Sequence, residues 1–232
     1  MTETSAPRPA FYALAPGGWR DYVTLLHAPY TLWHLSYVAI GAGLAPKMKW
    51  GVLGWTVLAF LLAMGIGAHA LDELRGRPLR TRIPSFVLVA LATVSIAAAS
   101  AIGIVVAVRS TLWLLAFVAF GALIVVAYNL ELLGGAVHTD LWFAGAWGAF
   151  PVLTAYFASA ERIRGEAVAA AVFAFLVSLA QRRLSTEVRR VRRGAELPPD
   201  AERLLRAPEA ALRLLAAALP ALAGAVLLLR AR

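Results

Sequence analysis

His69, Asp72 and Glu73 stand three and four residues apart, spacings that bring side chains to one face of a helix. Two carboxylates and an imidazole so placed could hold a divalent cation. Oxygen ligands suit Mg2+, which keeps part of its shell as water and phosphate oxygens and so needs few protein carboxylates. Arg77, Arg80 and Arg82 follow directly, and guanidinium groups grip phosphate oxygens through forked hydrogen bonds. The plainer reading of the same stretch is a membrane edge, with Asp72, Glu73 and Arg75 ion-paired and solvated.

A second basic run lies between Gln181 and Glu196, with Arg182, Arg183, Arg189, Arg190, Arg192 and Arg193 against the acids Glu187 and Glu196. Attraction to anionic lipid accounts for such a run by itself; Arg182 and Arg183, nearest the preceding apolar block, could also reach a phosphate. Glu131 lies near the end of the fourth apolar block, followed by His138 and Asp140. His34 falls inside an apolar block, as a helix–helix hydrogen-bonding residue or a cavity wall. Trp142, Trp147, Pro151 and Tyr156 could line an apolar pocket, although aromatic residues in spans also serve as packing and interface anchors. No Ser-His-Asp order, phosphate-binding loop or dinucleotide fingerprint is present.

The elements that must position these residues are apolar blocks. The 232-residue chain is 61% hydrophobic and 15% charged, with a mean hydropathy of +0.73, too apolar for the interior of a water-soluble domain of this size. The blocks are about twenty residues long, the length at which a helix crosses a bilayer. The expected fold is therefore all-α, a polytopic transmembrane helical bundle of about seven spans. These run over Tyr30 to Ala45, Trp50 to Leu74, Ser85 to Val108, Leu112 to Leu133, Leu141 to Ser159, Glu166 to Leu184 and Pro208 to Leu229, the last reached through a long basic loop. Residues 1–28 read as a flexible, interfacial N-terminal segment, without a signal peptide, and 29–232 as one transmembrane domain. No cysteine is present, so disulfides and thiolate metal sites are excluded.

The net charge of +9 has a source in topology, because cytoplasmic loops collect Lys and Arg. Nucleic-acid binding is therefore not expected. With the N-terminus cytoplasmic, the inner segments carry Arg8, Arg20, Arg75, Arg77, Arg80, Arg82, Arg182, Arg183, Arg189, Arg190, Arg192, Arg193, Arg203 and Arg206. The outer ones carry Lys47, Lys49, Arg109, Arg162, Arg164, Arg230 and Arg232, which is fourteen against seven. The second and sixth spans both end on the inner side in Arg-dense segments, GAHALDELRGRPLRTRIP and SLAQRRLSTEVRRVRRGAELPP, a weak internal repeat of the kind that places sites between halves.

Three stretches resemble the UbiA-type intramembrane prenyltransferase superfamily. HAPYTLWHLSYVAIGAGL looks like its opening pattern, with Ala28 where Arg is usual. GAHALDELRGRPLRTRIP falls where its first Asp-rich motif stands. His69 occupies one Asp position there, Asp72 keeps the other, Glu73 is an added acid, and Arg77, Pro78 and Leu79 match the tail. AYNLELLGGAVHTDLWFAGAWGAFPVLTAYFA is similar to its Tyr-Ser stretch and Gly-x-x-Trp-Gly-x-x-Pro span, through Tyr128, Gly145, Trp147, Gly148 and Pro151. In the second Asp-rich motif Thr186, Glu187 and Arg190 stand near the Asp positions.

The resemblance implies a helical bundle around a cavity, Mg2+ on an allylic diphosphate, and transfer of the prenyl group to a lipid or aromatic acceptor. It implies catalytic and metal roles for Asp72 and Glu73, with His69 as a further ligand. Diphosphate binding falls to Arg75, Arg77, Arg80, Arg82, Arg182 and Arg183, and enclosure of the hydrocarbon to Tyr128, Trp147, Pro151 and Tyr156. The altered motifs equally fit a non-catalytic member that binds membrane lipid or scaffolds a membrane complex. A small-solute transporter is disfavoured, because few ionisable groups lie at mid-span.

Overall fold

A computed structural model describes residues 8–192 and 200–232, and among them every regular element is helical. We number the helices α1 (Trp19–Leu25), α2 (Ala28–Leu44), α3 (Trp50–Leu74), α4 (Ser85–Arg109), α5 (Leu114–Asn129), α6 (Asp140–Ala160), α7 (Gly165–Arg192) and α8 (Ala201–Arg230). Five stretches are long and apolar enough to cross a bilayer: α3, α4, α6, α7 and Arg203–Arg230 within α8. Helix α5 is a shorter apolar helix of the bundle. Large apolar side chains such as Phe86, Val94, Leu123 and Leu228 point outward, the inverse of a water-soluble surface and the form expected where lipid is the solvent.

Helix α2 is the axis. Its residues from Trp33 through Gly43 are almost all buried, and it packs lengthwise on α6 and α8. Small residues allow these approaches. A Cβ on Gly41 would lie 2.3 Å from the Val152 carbonyl oxygen of α6, and one on Gly148 would lie 2.5 Å from the Ala174 carbonyl oxygen of α7. Within α2, Trp33 Nε1 donates to the Tyr37 hydroxyl at 2.7 Å, and Ser178 Oγ of α7 donates to the same oxygen at 3.2 Å.

Two helices leave the α-helical repeat. Helix α3 is π-helical over Leu61–Ala68, and α6 over Ala144–Ala149. Such wide turns recur at functional sites because they re-aim side chains and loosen main-chain pairing. In α6 the cause continues into Pro151, which has no N–H to return to the Trp147 carbonyl.

The basic run after the sixth apolar block corrects the expectation of a loop. Helix α7 continues through it to Arg192; Arg193 and Glu196 lie outside the described residues. Helix α5 stops at Asn129, earlier than hydropathy suggested, and the chain turns through left-handed Glu131, Leu133, Gly134 and Gly135.

A polar cavity walled by every histidine

At the Arg-dense end of the bundle lies a cavity of about 350 Å3. Its walls are the start of α2 (His27, Tyr30, His34), the end of α3 (His69, Asp72) with Arg75, and the end of α5 (Tyr128, Asn129) with Glu131. The entry to α6 adds His138, Phe143 and Trp147, and the inner face of α7 adds Gln181, Arg182, Ser185 and Arg189. Phe11 and Tyr12 of the N-terminal segment complete it. The chain has four histidines, and all of them face this space, so the cavity is where its imidazole chemistry is concentrated.

The imidazoles are oriented by the main chain. Nδ1 of His34 lies 2.8 Å from the Trp147 carbonyl oxygen, Nδ1 of His69 lies 3.1 Å from that of Gly65, and Nδ1 of His138 lies 2.9 Å from that of Tyr128. A carbonyl oxygen only accepts, so each of these Nδ1 atoms donates, and the neutral form of such a ring has its acceptor at Nε2. Gly65 and Trp147 belong to the two π-helical segments, and the Trp147 oxygen is the one Pro151 leaves without its helical donor. Opposite, Arg182 Nε donates to Asp140 Oδ1 at 3.2 Å, its Nη2 faces His138 Nε2 at 3.3 Å, and its guanidinium lies 5.4 Å over the Phe143 ring. Tyr128 stacks on His138 with centroids 4.4 Å apart.

Two buried polar atoms in this wall, the Tyr128 hydroxyl and Gln181 Oε1, have no hydrogen-bond partner among the described residues. Buried polar groups are ordinarily satisfied, and orphans in a cavity wall are the groups a ligand or water would satisfy.

The expected site residues separate into those that share this cavity and those that do not. His69, Asp72, Arg75, Arg182, Tyr128 and Trp147 line it. Glu73 does not. Its fully buried carboxylate accepts from the backbone N–H of Leu79 at 2.9 Å, and from the N–H and hydroxyl of Thr81 at 2.9 and 2.8 Å. Residues 75–84 fold back over the end of α3, so the shared helical face of His69 and Glu73 does not become a shared site. Arg77 is spent on the same loop, donating to the Ile83 and Thr81 carbonyls and the Ser85 hydroxyl. Arg80, Arg82 and Arg183 are exposed, and Pro151 and Tyr156 are buried away from the cavity. Tyr156 donates to Glu166 at the start of α7. Among the described residues no group of three or more His, Asp or Glu converges on one point as a metal-ligand set.

Sequence reasoning did not single out His27, Tyr30, Gln181 or Arg189 for the cavity. The signal for the last two was the spacing of the buried residues Ala174, Ser178, Gln181, Ser185 and Val188, a helical stripe running through the Arg-rich segment.

A second, apolar cavity of about 100 Å3 lies among α3, α4, α5 and α6, walled by residues such as Met64, Ile96, Val118 and Phe150. Trp147 lines both. No protein-family model, curated protein or solved structure matches the chain.

Proposed function

We propose that this chain is a divergent UbiA-like membrane enzyme that binds an allylic (prenyl) diphosphate in the polar cavity and transfers the prenyl group to a lipid or aromatic acceptor. In this reading α2 to α8 are seven spans, the N-terminus is cytoplasmic, and the cavity opens on the cytoplasmic side, where Lys and Arg concentrate. The observation that carries the reading is the adjacency of unlike cavities. One is walled by Arg75, Arg182 and Arg189 with four histidines, the other by hydrocarbon, and they meet at Trp147. That is the shape of an amphiphile with an anionic head.

Mg2+ is the ion that the resemblance implies, and the residues do not fit a protein-built cage for it. Both Glu73 oxygens are occupied by loop donors, which leaves Asp72 as the carboxylate of the expected trio that reaches the cavity. No step is assigned to the ion. The groups that face a leaving diphosphate are guanidiniums, which stabilise charge as it develops in a site shielded from water. The allylic C–O bond breaks with both electrons going to the diphosphate oxygen, and the acceptor's nucleophile closes on the allylic carbon. The proton lost from the acceptor has imidazole acceptors nearby, the Nε2 atoms of His34 and His69.

The test is release of pyrophosphate from geranyl, farnesyl and geranylgeranyl diphosphates by purified protein, with and without Mg2+. Release that is lost in Arg182→Ala at unchanged melting temperature supports the enzyme. A second reading, a non-catalytic lipid-binding member of the same fold, is favoured by the commitment of Glu73 to the loop. It predicts no release from any donor, with an anionic lipid co-purifying with the wild type and missing from Arg182→Ala.

A further inference from the structure

Trp147 is, among the described residues, the single residue common to the linings of the polar and the apolar cavity. It is 5% exposed and packs in the core with Tyr128, Ile124, Val125 and Ala146. On the polar side its indole meets the ring of Tyr128 at 4.5 Å and stacks on Phe143 at 5.6 Å, with planes 7° apart. As found, the indole is a wall.

The size of the polar cavity gives that wall a consequence. At roughly 30 Å3 per water, its volume matches about a dozen waters. A diphosphate together with the first isoprene units of its chain fills that space. Hydrocarbon beyond those carbons must leave, and the apolar cavity on the far side of Trp147 is the neighbouring space of matching chemistry. The backbone beneath the indole is fixed, because the Trp147 carbonyl is held by His34 Nδ1 at 2.8 Å. Movement therefore falls to the side chain, and the wide turn of Ala144–Ala149 sets the direction in which the ring projects.

We propose that Trp147 is the partition that sets which chain lengths this protein accepts: short chains are held against the indole, and longer chains bind only by displacing it. This rests on the head-and-tail reading of the cavities given above. Removing the indole joins the two spaces; filling the apolar one closes the far side without touching the head site.

The experiment is calorimetric titration of the purified protein with butyl, octyl and hexadecyl phosphate, using inorganic pyrophosphate as the chain-free probe. Trp147→Ala is expected to raise hexadecyl over butyl affinity by about tenfold or more, the scale on which apolar pockets discriminate chain length, each affinity being taken relative to that of pyrophosphate for the same variant. Trp147→Phe gives a smaller shift in the same direction. Ala63→Phe, which fills the apolar cavity, lowers hexadecyl affinity alone. Because Trp147→Ala could fail to fold, Trp147→Phe and Ala63→Phe carry the test independently. An unchanged hexadecyl-to-butyl ratio in the folded Trp147 variants overturns the partition while leaving the binding site standing. Absence of binding of pyrophosphate and of every alkyl phosphate to the wild type overturns the head-and-tail reading and the partition together.

Discussion

The two Arg-dense segments look alike in sequence and are spent in opposite ways. After α3, the residues from Arg75 to Pro84 form a loop knotted on itself. Glu73 holds the backbone of Leu79 and Thr81, Arg77 holds that of Ile83, and Arg77 and Arg80 are left-handed, with φ of 52° and 57°. At the end of α7, the residues from Gln181 to Arg192 remain helical and turn one face to the cavity. The cause of the difference is local. The first segment contains Gly76, Pro78 and Pro84, which break a helix; the second has neither Gly nor Pro before Gly194. Once the loop forms, its buried backbone groups need partners, and the nearest charges supply them. A charged residue that satisfies backbone is unavailable to a ligand, and the loop and the cavity wall differ in that respect rather than in composition.

The strongest way to break this comparison is at Glu73. Glu73→Ala leaves two N–H groups and a hydroxyl without their acceptor beneath a loop whose left-handed residues depend on it. Buried unsatisfied groups cost about 1–3 kcal/mol each, so a loss of about 3–5 kcal/mol is expected, the scale for breaking a buried charged network. The melting temperature in detergent should fall sharply, with Glu73→Gln intermediate because one oxygen acceptor remains. A Glu73→Gln protein that melts like wild type yet loses pyrophosphate release would return Glu73 to the site.

The next effect lies in the cavity. Arg182→Ala should weaken binding of pyrophosphate by about 10- to 100-fold, the 1.5–3 kcal/mol typical of a hydrogen bond to a charged group, with the melting temperature little changed. The stability cost is small because its partner Asp140 is half-exposed and is rehydrated when the guanidinium goes. A large drop in melting temperature would make Arg182 a structural residue like Arg77.

How much of this was legible follows from what hydropathy measures. The apolar block from Trp50 to Leu74 is the helix expected, and α4 and α6 agree to within a residue at each end. Lipid-facing spans are long apolar runs, and composition carries them. Hydropathy ended the sixth span at Leu184, whereas the helix continues to Arg192, because Gln, Arg, Leu and Glu favour helix whatever solvent surrounds them. Which of Asp72 and Glu73 faces the cavity was not legible, since it depends on a loop eight residues on closing over one of them. Nor were His27 and His138, which sit outside the long apolar runs and reach the cavity through tertiary folding alone.

A smaller effect sharpens the cavity side. Tyr128→Phe removes a buried hydroxyl that has no partner among the described residues. Nothing is broken in the empty protein, so the melting temperature should stay level or rise, by no more than about 1 kcal/mol of stability. If the hydroxyl meets the ligand, affinity for pyrophosphate falls several-fold in calorimetry. An equal affinity would mean that water, not the head group, satisfies Tyr128.

The smallest effect is the most discriminating. Arg182 and Arg183 are adjacent in sequence, and successive residues on an α-helix are about 100° apart, at 3.6 residues per turn. Arg182 lines the cavity and Arg183 is exposed. If the segment works through geometry, Arg183→Ala leaves pyrophosphate affinity and melting temperature at wild-type values while Arg182→Ala does not. If it works as a diffuse basic surface, both variants lose the same small amount, and the loss disappears in high salt, where exposed charges are screened beyond a few ångströms. Equal losses would reduce the two Arg-dense segments to one kind of object, a positively charged membrane edge, and the cavity would lose its claim to a bound anion.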